Sequence, residues 1–134
     1  MAPIAWKPQF SVGDPAVDHE HRELVDLVNV AAAAILDGQP DADVDRCLGD
    51  LLRAISAHFA HEERQMQRAS YDQYPQHKSD HERLLDALRD IMDSAQQGDS
   101  NTAERLTAVL EAWFTDHFRT HDARLHHRLG PHAH

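Results

Sequence analysis

The sequence predicts an all-α protein: an antiparallel up-down-up-down four-helix bundle with an extended N-terminal arm. Three observations carry this prediction. Only five glycines and six prolines occur in 134 residues, so little of the chain is marked as turn. Four stretches carry apolar residues at steps of three and four, the period of a helix that buries one face. The breaks between those stretches are short, which makes successive helices antiparallel neighbours. A chain of this length forms one ordinary domain with a single core.

Residues 1–17 hold three prolines and Gly13 without sustained periodicity, and read as an arm pinned to the bundle by Trp6, Phe10 and Val12. Asp18 is the expected N-cap of the first helix, which runs to about Asp37 and stops at Gly38 and Pro40. The second helix starts near Asp41 or Asp43, whose charges suit a helix N-terminus, and continues to about Ala69. Residues 70–75 read as a turn or a loose first turn. A third helix spans roughly Gln76 to Gln97 and ends at the cluster Gly98, Asp99, Ser100, Asn101. The fourth runs from about Thr102 to Leu129 and stops at Gly130 and Pro131. The expected organisation is therefore an arm over 1–17, a bundle over 18–129 and a flexible tail over 130–134, which holds His132 and His134.

The formal net charge is −10, and no basic stripe is present to release counterions from phosphate. That argues against nucleic acid and against an anionic membrane surface. Cys47 is the single cysteine, so an intrachain disulfide is impossible and a reducing compartment is expected. With no basic-apolar leader and no apolar run approaching ~20 residues, the cytoplasm is the expected location.

The informative feature is what interrupts the apolar seams. In the second helix Val44, Leu48, Leu51, Ile55, His58, Glu62 and Met66 share one face. In the third, His77 and His81 open the row Leu84, Leu88, Ile91, Ala95. His21 heads Leu24, Val28, Ala31 and Ile35 in the first helix, and His117 extends Leu106, Leu110 and Trp113 in the fourth. Burying an ionisable side chain costs several kcal/mol unless it is paired or bound to a metal. Five or more such residues on four seams ask for a common partner, and a metal centre inside the bundle is the natural one. His77 with His81, and His58 with Glu62, are pairs at i and i+4, so each can chelate one ion from one helix face. Elsewhere the spacing leaves choices open. His117 pairs with His121 at i+4, whereas Asp122 lies five residues on and about 140° around an ordinary helix. Spacing by itself favours His121; seam position favours His58 over His61 and His21 over His19.

The strings VDHEHRELVDLVN, HFAHEERQM, HKSDHERLL and WFTDHFRTHD resemble, in order, the hemerythrin family in its single-domain bacterial form. The arm with Trp6, Ser11, Val12 and Gly13 also fits, and the likeness extends to about residue 127. Asp72 departs from it, standing where a proline commonly follows the tyrosine, as do His19 and Glu20 beside the first motif histidine. The resemblance implies a non-haem di-iron centre with an oxo or hydroxo bridge. His77, His81 and His117 would hold one iron, His21 and His58 the other, with Glu62 and Asp122 bridging. It places His121, His61 and His19 at the surface. Counting those ligands leaves one coordination position open, on the iron with two histidines, and implies reversible dioxygen binding there.

The remaining candidates have plainer expectations. Trp113 should pack beside the site, and Leu24, Ile55, Phe59, Leu84 and Phe114 should form dry walls around it. Met66 and Tyr71 should pack, His126 and His127 should face solvent, and Cys47 should be a half-buried residue without redox duty. The rival reading is a di-iron enzyme, a peroxidase, oxidase or nitric oxide reductase. Oxygen-activating bundles of that kind carry Glu-x-x-His motifs, a spacing absent from this chain. A sensor acting through a separate partner is the third class, since no output domain accompanies the bundle.

Overall fold

A computed structural model describes residues 3–129; the expected tail over 130–134 lies outside the described residues. After a short 3-10 turn, Pro8–Phe10, come α1 (Pro15–Leu36), α2 (Asp41–Arg68), α3 (Tyr74–Gln96) and α4 (Thr102–His117). The last helix continues through a π-helical turn, Phe118–Asp122, into α5 (Ala123–Leu129). Helix α1 packs on α2 and α4, and α3 packs on α2 and α4, the adjacency of an up-down-up-down bundle.

Two starts differ from expectation. The N-cap of α1 is Asp14, not Asp18: its carboxylate accepts the Ala16 amide at 3.0 Å and the Val17 amide at 3.4 Å. Pro15 then occupies the first helical position, where a missing N–H costs nothing. Asp18, one turn further in, accepts the Val12 amide at 2.8 Å and ties the arm to α1. Helix α3 begins at Tyr74 rather than Gln76, because Pro75 fits a first turn as readily as it ends a helix.

The arm is held by more than its aromatic residues. Ile4 is buried, and its backbone N–H and C=O pair with the Asn29 side chain at 2.8 and 2.9 Å, as a neighbouring strand would. Phe10 is fully buried and meets Phe118 edge-on at 5.8 Å, while Trp6 and Val12 are half-buried. The seams named above form the main core, with Leu48, Leu51, Ile55, Leu84, Leu88, Ile91, Leu106, Leu110 and Phe114 inside it. Each such side chain contributes about 1.5–3 kcal/mol by leaving water. A second, smaller cluster of Met66, Tyr71 and Leu125 closes the end where α5 meets α2. The polar seam residues lie between the two clusters. Among the described residues no helix is long and apolar enough to cross a membrane.

Candidate metal centre

Four helices bring the seven candidate residues together. Glu62, His77, His81, His117 and Asp122 form one group whose donor atoms lie within 4.8 Å of one another. His21, His58, Glu62 and Asp122 form a second group on the same criterion. The two groups share only the two carboxylates. Six of the seven side chains are at most 1% exposed; His58, at 9%, is the one near solvent.

Asp122 reaches this centre because of the π turn. In an ordinary helix a residue five positions after His117 would point well away from it. A π turn bonds i to i+5 and so stacks residues at that spacing. His117 Nε2 and Asp122 Oδ1 are accordingly 2.9 Å apart. His121, which regular spacing favours, is displaced outward: it is half-buried, its ring over His117 at 5.2 Å and its Nε2 3.9 Å from Asp80. His19 and His61 are exposed.

The inner ring nitrogens converge on each other and on carboxylates. His77 Nε2 and His117 Nε2 are 3.1 Å apart, and each is 2.9 Å from Asp122 Oδ1. His117 donates Nδ1–H to Asp80 Oδ2 at 2.6 Å, and His81 donates Nδ1–H to Glu63 Oε2 at 3.0 Å. With the proton on the outer nitrogen, the inner nitrogen of each neutral ring offers a lone pair. The His81 lone pair meets Glu62 Oε1 at 3.1 Å, so acceptor faces acceptor until a proton or a cation comes between them. His21 Nε2, His58 Nε2 and both Asp122 oxygens are buried without a hydrogen bond, although His21 Nε2 and Asp122 Oδ2 are only 3.2 Å apart. Buried polar atoms left this way are costly, and a cation at each focus would satisfy them. A donor set of imidazole nitrogens and carboxylate oxygens suits iron, so the residues fit the cofactor expected from the resemblance.

Electrostatics describe the same arrangement with protons in place of metal. Burial pushes His117 down, but the Asp122 charge, with help from Asp80 and Glu62, outweighs it and raises the imidazole to about 9. Burial likewise disfavours charged His77, yet its contacts with Asp122 and Glu62 hold its pKa above the usual value. Glu62 and Asp122 are held well below the carboxylate range: burial works against this, and the surrounding histidines prevail. His58 is lowered chiefly by burial. The carboxylates thus stay charged and require positive partners.

Aromatic rings fix the imidazole planes. His21 stacks on Phe118 at 3.7 Å, His81 on Phe59 at 3.8 Å and His117 on Trp113 at 4.0 Å. Trp113 therefore packs beside the site as expected, and Leu24, Ile55, Phe59, Leu84 and Phe114 are buried as expected. Sequence reasoning missed Phe118, Asp80 and Glu63. Asp80 and Glu63 sit off the apolar seams, beside His81 and Glu62 in the chain, and only packing shows which ring each reaches. One expectation is corrected outright: His126 does not face solvent. It is 6% exposed, and its Nε2 lies 3.2 Å from Glu62 Oε2. The π turn carries it inward one helical turn after Asp122.

Fold and site together define a four-helix-bundle protein with a buried histidine–carboxylate cation site. The family model for the hemerythrin HHE cation binding domain matches residues 12–129. The chain is 31% identical over 120 residues to hemerythrin subunit 1 of Golfingia vulgaris, covering 90% of this chain and 88% of the relative. It is 29% identical over 117 residues to a bacteriohemerythrin of Ralstonia nicotianae, covering 87% and 82% respectively. A bacteriohemerythrin of Pseudomonas paraeruginosa is 27% identical over 123 residues, 92% of this chain and 79% of that protein. A solved structure of a leucine-to-phenylalanine mutant shares the fold, with a TM-score of 0.76 at 23% identity over 92% of this chain and 95% of that one. The chain belongs to the hemerythrin family, whose members are di-iron, oxygen-binding proteins rather than enzymes.

Proposed function

We propose that this chain binds dioxygen reversibly at a di-iron centre, for carriage, storage or delivery, in the cytoplasm. His77, His81 and His117 would hold one iron and His21 with His58 the other, with Glu62 and Asp122 shared. One observation carries the reading: the donor atoms fall into two groups that overlap only in Glu62 and Asp122. When bound, the iron pair supplies the electrons and the coordination position that dioxygen needs.

The protein's own residues supply selectivity and shielding. A cleft of about 260 Å³ between α1 and α2 is lined by Glu20, Leu24, Leu27, Ala54 and His58 among others. It reaches His58 of the two-histidine group, where ligand counting leaves room for a small molecule. Phe59, Phe114 and Phe118, all buried, exclude water around the donor groups, which slows loss of bound ligand and unwanted oxidation.

The test is anaerobic loading with two equivalents of ferrous iron, followed by cycles of oxygen and vacuum. A visible absorption band that rises and falls over several cycles supports the proposal. Irreversible bleaching on first exposure, or steady turnover of peroxide or nitric oxide, contradicts it.

A further inference from the structure

Glu62 crosses the centre between the two donor groups. Its Oε1 faces His81 Nε2 at 3.1 Å and His77 Nε2 at 3.5 Å, while its Oε2 faces His58 Nε2 at 3.6 Å. Each oxygen therefore serves a different half of the site. A glutamate has three side-chain torsions, and ordering them inside a core costs conformational entropy. Asp122, with a shorter side chain on the π turn, needs less restraint. The group that can restrain Glu62 is His126, which lies outside both donor groups yet is buried, with Nε2 at 3.2 Å from Oε2.

We propose that His126 is a positioning residue: its Nε2–H donates to Glu62 Oε2 and aims that oxygen's other lone pair at the ion held by His21 and His58. The inference rests on the dinuclear reading above and deepens it. A carboxylate oxygen has two lone pairs, so one hydrogen bond and one metal contact can be made together. The restraint comes from α5, across the chain from α2, and is anchored by Leu125 against Met66. Its loss would leave Oε2 free to swing toward the three-histidine group and would weaken the two-histidine half selectively.

Cobalt(II) is a suitable probe, because its visible bands report coordination and it does not oxidise readily. Metal-free wild type, His126→Leu and His126→Gln are checked for helix content and melting, then titrated with cobalt(II). Wild type and His126→Gln, which keeps an N–H donor at that reach, should each take up two equivalents with the same bands. His126→Leu should bind the first equivalent normally and the second about 10–100-fold more weakly, with altered bands. A His126→Leu titration identical to wild type overturns the proposal, as does a folded Gln variant that loses the second equivalent. Wild type that takes up only one equivalent would overturn the dinuclear reading itself.

Discussion

Asp80 shows how one acid off the apolar seam can govern a site it does not enter. Its carboxylate accepts His117 Nδ1–H at 2.6 Å and is held in turn by Arg83 at 2.6 Å. Burial raises its pKa, but the His117 contact outweighs this and keeps Asp80 ionised. On the proposed reading, the pair would fix the His117 tautomer whose Nε2 offers a lone pair to metal, and would make that nitrogen more basic. Asp80→Ala should lower metal affinity about 10–100-fold with helix content unchanged, and Asp80→Asn, still an acceptor, by less. Competition against a coloured chelator measures both. Equal affinity in Asp80→Ala and wild type would show that the contact has no such role.

At the scale of elements the π turn, Phe118–Asp122, is the decisive device. It accommodates one residue more than a regular helical turn, and so places His117, Phe118, Asp122 and His126 on the interior together. Inserting an alanine after Thr120 adds a residue that the turn has no room to absorb, and should rotate everything beyond it by about 100°. Asp122 and His126 would leave the core, and iron bound per chain should fall below two while circular dichroism still shows a helical protein. Retention of two irons per chain would mean that the turn is not what seats Asp122. The start of α1 provides a milder test. Asp14→Ala removes the cap on Ala16 and Val17 and should cost about 1 kcal/mol, a fall of a few degrees in melting temperature.

For the whole molecule the cluster couples stability to pH and to metal. His117 is raised to about 9, so its contribution to the metal-free fold is complete below its unfolded value near 6.5 and fades as pH rises through about 9. His77 is also raised and acts in the same direction. Glu62 and Asp122 are depressed, so their contribution is present above about pH 4 and is lost as the medium becomes more acid. The metal-free bundle should therefore be most stable between those ranges and lose melting temperature from pH 6.5 to 9. Metal binding must displace the same protons and strengthens over that interval. The gap in melting temperature between loaded and stripped protein should widen with pH, which calorimetry can read directly. A gap that narrows from pH 6.5 to 9 would mean that metal does not compete with the His117 proton.

What the sequence determined alone is what repeats locally: four helices from the period of their apolar residues, and the seam positions of His21, His58, Glu62, His77, His81 and His117. Those positions were legible because a regular helix converts spacing into direction. Asp122 required the family likeness, since its direction depends on a π turn that no regular period announces. The tertiary structure decided which off-seam acid backs which imidazole, why Asp14 rather than Asp18 caps α1, and that His126 is inside. Each is settled by how separate helices meet and by local departures from regular winding, and neither is encoded in the spacing along a single helix.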